Sequence, residues 1–129
     1  TILDYAQVQH PGSIYEGKQI HPIEGRSLRP ILDETRQTIY GVDEPVGIEL
    51  FGNSALYKGE WKALFLAPPA GDGIWKLYKI SQDIGEQNDL SSENPEKLVE
   101  LLNDYEEYAN RVDIITPEGL DLSKYSDPG

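Results

Sequence analysis

The strongest periodic signal lies near the end of the chain. Leu98, Leu101, Leu102, Tyr105, Ala109 and Val112 recur at i, i+3, i+4, i+7 spacing, one apolar stripe of an amphipathic helix over 95–112. Asn94 stands at its N-cap and Pro95 at its first position, where a missing N–H costs little. Glu96 suits the positive N-terminal end of the helix dipole. Glu93, Glu96, Glu100, Asp104, Glu106 and Glu107 are expected on the solvated outer face.

Between residues 39 and 80 the period drops to two. The segment 46–51 reads as a strand with Ile48 and Leu50 on one face. Gly52-Asn53 is a short hairpin signal after it. Residues 55–58 and 61–66 then run antiparallel through Gly59-Glu60, with Gly59 supplying the positive φ of a type II′ turn. A Pro- and Gly-rich loop over 67–73 leads to a last strand over 74–80. The pattern predicts a four-stranded antiparallel sheet with the helix covering one face.

The first third is less regular. Ile2, Leu3, Tyr5 and Ala6 make a short helical stripe that His10-Pro11-Gly12 stops. It has no N-cap or lead-in and reads as the last turns of a helix begun earlier in a longer protein. Residues 13–25 show no period and read as a loop. Ser27 is the expected N-cap of one or two helical turns, with Pro30 in the first turn and Leu28, Ile31 and Leu32 as their buried face. A polar connector follows over 33–38. The fold class is α+β: a loop-rich third over 1–38, a sheet-and-helix unit over 39–112, and a flexible tail over 113–129.

Composition narrows the partners. Eleven basic residues against 23 acidic ones give a net charge of −12, which repels a phosphate backbone and an anionic membrane surface. Nucleic acid and membrane are therefore not expected partners. The chain has no cysteine, so disulfides and thiolate metal sites are excluded. No apolar run approaches the roughly 20 residues that span a bilayer.

Candidate chemistry is sparse. Asp83, Glu86 and Asp89 suggest a calcium loop, but Asp83-Ile84-Gly85-Glu86-Gln87-Asn88 lacks an oxygen ligand at the third position. The alternative is a turn in which Asp83 caps its own backbone, Gly85 takes positive φ and Asp89 orients the approach to the helix. His10 and His21 have no third ligand at matching spacing. Trp61, Trp75, Tyr57 and Tyr78 suggest a sugar-stacking platform, yet strand alternation favours a seam between sheet and helix. The acidic residues of the helix lie along one face and do not oppose each other as a glycosidase pair would.

The order of these pieces resembles the C-terminal end of bacterial type I sulfatases, of the alkaline-phosphatase-like superfamily. Thr1-Ile2-Leu3-Asp4-Tyr5-Ala6 is similar to the family's P-T-I-L-D-x-A-G helix, with Gln7 where Gly is common. Residues 24–32 are similar to its G-x-S-L-x-P-L-L segment, and Glu49-Leu50-Phe51-Gly52 to its E-L-F-G strand. The strand containing Trp61-Lys62, then Leu77-Tyr78 and the turn from Asp83 to Leu90, complete the series.

The resemblance implies a subdomain packed on a larger N-terminal catalytic domain of the same protein, whose reaction is hydrolysis of a sulfate ester. The family's nucleophile is a formylglycine made from a C/S-x-P/A-x-R motif, and no serine here begins a complete one. Its metal, usually calcium, rests on residues that would precede Thr1. No catalytic, cofactor-binding or metal-ligating residue is thus assigned to this chain, and alone it is expected to be inactive. Loop histidines such as His10 and His21 more often hydrogen-bond to backbone. The alternative that the resemblance adds is that His21 or Arg26 meets the organic part of a substrate at the cleft rim. The alternatives are the same subdomain of a phosphonate or phosphodiester hydrolase, or a stand-alone aromatic binding module. The compartment stays open between periplasm and cytoplasm of a bacterium.

Overall fold

A computed structural model describes residues 1–114, which form two compact units. The expected tail lies outside the described residues from 115 onward. The first unit, Thr1–Gly41, contains α1 (Ile2–Tyr5), the paired β1 (Ile14–Tyr15) and β2 (Lys18–Gln19), and α2 (Arg29–Leu32). The second, from Val42, contains β3 (Val46–Leu50), β4 (Asn53–Lys58), β5 (Trp61–Phe65), β6 (Lys76–Lys79) and α3 (Pro95–Arg111).

The four long strands form an antiparallel meander in the order β3-β4-β5-β6. The predicted sheet and covering helix are both present. Gly59 has φ +57 while Glu60 stays negative, as the expected type II′ turn requires. The first hairpin turns one residue earlier than its Gly52-Asn53 signal. Leu50 pairs with Asn53, so the loop is Phe51-Gly52, with φ 52 and 79. Two positive φ angles in a two-residue loop are those of a type I′ turn, whose right-handed twist suits the flanking strands.

Register fixes the two faces. Gly47, Leu56, Ala63 and Leu77 lie side by side in one row across the sheet. Leu56, Ala63 and Leu77 are fully buried with Leu101 of α3, and Trp61, Trp75, Leu98 and Tyr105 pack around them. This inner face is the core. Gly47 lets α3 approach the edge strand, because an added Cβ would collide with the Tyr108 ring.

The helix is clamped as well as packed. Lys58, on the inner face, pairs with Glu100 at 2.9 Å and Asp104 at 2.7 Å. Both carboxylates turn toward the sheet, which corrects the expectation that all six acidic residues form a solvated face. The physical reason is Lys58 itself, an ammonium on the strand beside the helix that a carboxylate one turn away can reach. Asn94 is the N-cap residue, but its side chain makes no cap hydrogen bond and instead donates to the Leu90 carbonyl.

Alternation puts Ile48 and Leu50 on the outer face, where they are 49% and 61% exposed. The same face carries Ala55, Lys62 and Tyr78, all buried.

The first unit has no buried residue. Leu28 and Leu32 are exposed, which corrects their assignment to a buried face. Four helical residues cannot present a stripe wide enough to make a core, and polar bonds hold this unit instead. Tyr5 donates to Asp33 at 2.6 Å, Ser27 donates to Asp4 at 2.6 Å, and Arg29 pairs with both Asp4 and Asp33. Residues 13–25 also contain more order than their pattern suggests: β1 and β2 pair around Glu16-Gly17, with φ 50 and 78.

Candidate functional site

The segment from Ser81 to Leu90 carries the three carboxylates of the candidate calcium loop, Asp83, Glu86 and Asp89. It leaves β6 and folds back over the outer face. Asp83 accepts from the Gln87 N–H at 3.0 Å and the Asn88 N–H at 2.8 Å. Those two donors hold its carboxyl below the usual aspartate range. Asp89 accepts from the Leu77 and Ser91 N–H groups. Burial pushes the Asp89 carboxyl up, but these donors outweigh it and the net shift is downward.

The carboxylates therefore tie a turn together, and Asp89 fastens that turn to β6. Their oxygens already face backbone donors, so the set does not fit a calcium loop. Among the described residues no group of three or more His, Asp or Glu is gathered around one point.

Glu86, and not Gly85, takes the positive φ of this turn, at 53°. This corrects the expectation for Gly85. The reason is on the sheet: the Glu86 carboxylate pairs with Lys62, which is only 9% exposed. Lys62 also lies over the Tyr57 ring, 5.2 Å from its centroid. Burial pulls the Lys62 ammonium down, yet its bonds to Glu86 and Tyr57 more than offset this, and it stays charged and shifted up. The turn is thus a neutralising cover for a lysine buried on the outer face.

The aromatic residues divide between the two faces. Trp75 packs 5.6 Å from Phe65 and 5.0 Å from Tyr105, edge-on to the latter. Trp61 packs on the core with Lys79 over its ring. These two tryptophans form the seam expected between sheet and helix. Tyr57 and Tyr78 are on the opposite face, with Tyr78 buried beneath the turn. The four rings do not share one surface, and a sugar-stacking platform needs them to.

In the first unit the two histidines are apart in role. His10 accepts from the Gly12 N–H at 2.9 Å, closing the local turn. His21 is exposed. Arg26 stacks 4.8 Å over the Tyr40 ring and donates to the Ile39 carbonyl. The structure brings neither histidine into a cluster with carboxylates among the described residues. Lys62 with Glu86 is the pair that residue spacing did not reveal. Its signal was a lysine at an alternating position between apolar neighbours.

An uncharacterised sulfatase of Schizosaccharomyces pombe is 31% identical to this chain over 118 residues, which is 90% of the chain. The chain is a relative of the sulfatases. It spans about a fifth of the length of that relative, 21%. No family model matches it. Two solved structures also overlap it in part. One is Ps i-CgsB in complex with k-i-k-neocarrahexaose, at 28% identity and a TM-score of 0.44, and the other is Ps i-CgsB alone, at 29% and 0.42. Each overlap covers 52% of this sulfatase-related chain and 15% of the solved one.

Proposed function

We propose that the chain is the C-terminal subdomain of a sulfatase and supports a catalytic domain that precedes it in the same protein. The observation that carries this reading is the share of each chain in the match. Nine-tenths of this sequence aligns within about a fifth of a sulfatase, so most of that protein's length corresponds to nothing here. The chain's own chemistry agrees. It has no cysteine and no complete formylglycine motif, and its best-placed carboxylates accept backbone N–H groups. In this reading the nucleophile and the divalent metal, usually calcium, belong to the preceding domain. The chain's residues supply a rigid sheet and helix for that domain to rest on.

The reaction of the whole protein is then hydrolysis of a sulfate ester to an alcohol and sulfate. The test has two parts. The encoded sequence ahead of Thr1 is expected to contain a C/S-x-P/A-x-R motif, and the protein that includes it is expected to hydrolyse p-nitrophenyl sulfate. The 129-residue chain is expected to show no turnover of the same substrate. Turnover by that chain alone, or a longer protein that cleaves phosphonate esters and not sulfates, overturns the proposal.

A further inference from the structure

The segment from Ser81 to Asp89 is fastened by groups that acid switches off. Its hinges are backbone bonds: Gln82 and Asp83 donate to the Lys79 carbonyl at one end, and Leu90 donates to the Leu77 carbonyl at the other. Between the hinges carboxylates tie it to the sheet. Ser81 donates to Glu60 at 2.9 Å, Glu86 pairs with Lys62, and Asp89 accepts from the Leu77 N–H at 3.1 Å. A further carboxylate, Asp83, folds the segment on itself by accepting from the Gln87 and Asn88 N–H groups. Ile84 adds no apolar hold, because it is 93% exposed. The sheet and α3 are held differently, by Leu56, Ala63, Leu77 and Leu101, which have no charge to lose.

We propose that residues 81–89 form an acid-released flap, which lifts from Lys62 and Tyr78 below about pH 4 while the sheet and α3 stay folded. This inference does not depend on the sulfatase reading. Lys62 drives the release. Beside it in the sheet stand Tyr57 and Tyr78, and farther along β6 is Lys76 with its own partner Asp72. Phenols and ammoniums keep their protons in acid, so these groups do not change charge with the flap. Glu86 does: once protonated it leaves a buried ammonium without a counterion, and lifting the flap lets water reach that charge.

The other ties act in the same direction. Backbone donors hold the Asp83 carboxyl below its usual range, and Lys79 and Ser81 do so for Glu60. Burial raises the Asp89 carboxyl, but the Ser91 and Leu77 N–H groups outweigh it. Each tie is therefore whole above the ordinary carboxylate value and is lost as pH falls through the lower folded one. On the inner face Lys58 loses the charge of Glu100 and Asp104 in the same way, yet α3 stays seated on the buried leucines.

Amide hydrogen exchange of the 129-residue chain, read by NMR and corrected for the intrinsic rate at each pH, tests the flap. From pH 7 to pH 3, protection of the Leu77, Gln87 and Asn88 amides is expected to fall about tenfold or more relative to those of Leu101 and Leu102. Glu86→Gln supplies the uncharged side chain without acid. At pH 7 it is expected to lower protection of Gln87 and Asn88 by about tenfold. Adding Lys62→Met leaves no ammonium to strand and is expected to recover most of that loss.

Protection lost equally in turn, sheet and helix would show acid unfolding the unit as one, and overturns the flap. Full protection of the turn at pH 3 overturns it too. So does unchanged protection at pH 7 in Glu86→Gln, or a failure of Lys62→Met to restore it.

Discussion

The two units of this chain are held together by different physics. The second has a core of its own: Leu56, Ala63, Leu77 and Leu101 are fully buried between sheet and helix. The first has no buried side chain, and its short helices are joined by Asp4, Ser27, Arg29, Asp33 and Tyr5. Hydrophobic burial is the dominant favourable term in folding, whereas exposed ion pairs contribute little each. The comparison teaches that the second unit is built to hold its shape, while the first is organised by bonds that water and salt compete for.

The largest expected effect is on the core. Leu101→Ala leaves a cavity at a fully buried site and should lower stability by about 2–5 kcal/mol, seen as a drop in the denaturant midpoint of circular dichroism. A change below about 0.5 kcal/mol would mean that the second unit does not depend on this core, and the comparison would collapse.

Next in size is Gly47→Ala. The new methyl meets the Tyr108 ring, so α3 must shift, at a cost of about 1–3 kcal/mol. Pairing it with Tyr108→Ala should recover part of that loss and would sharpen the claim that helix approach limits the second unit.

A smaller effect comes from acid. The folded state holds the Asp83 carboxyl below the ordinary aspartate value, about 3.9 in unfolded chains. Its contribution is therefore present above that value and is lost as pH falls through the lower folded one. The thermal midpoint should decline as pH drops below about 4, and Asp83→Asn should flatten that decline. An identical slope in wild type and variant would show that the turn does not titrate with the fold.

The smallest global effect is expected from Arg29→Ala. It breaks the ion pairs of Arg29 with Asp4 and Asp33, yet these are roughly 40% exposed. The main unfolding transition should not move, while amide exchange within residues 1–41 should quicken. A lowered main transition would show that the two units unfold as one and would end the contrast drawn between them.

Much of the second unit was legible in the sequence because its periods are clean. Alternation over 46–80 and the i, i+3, i+4 stripe of α3 each answer to a single buried face. The remaining details were set by contacts between distant residues. Phe51-Gly52 forms the hairpin turn because pairing of Leu50 with Asn53 closes the register there, and no Asn-Gly signal announces it. Glu100 and Asp104 turn inward because Lys58 awaits them, which helix periodicity cannot report. Ile48 and Leu50 were correctly placed on one face, but alternation cannot say whether that face is covered. In the first unit the short Ile14–Tyr15 and Lys18–Gln19 pair is too brief to carry a period.

As a candidate site, the turn between Asp83 and Leu90 was correctly read as self-capping. Its partner on the sheet was not visible, because an ion pair 24 residues apart leaves no local trace.

Glu86 has one further consequence. Its backbone sits where glycine would be more comfortable, and its side chain is the counterion that keeps a lysine tolerable under a protein surface. Glycine there would relax the chain but strand the ammonium, and aspartate would keep the charge but fall short. Drift at position 86 is therefore tied to position 62, and across descendants of this gene the two should be exchanged together, acid and base for a pair of neutral residues, far more often than singly.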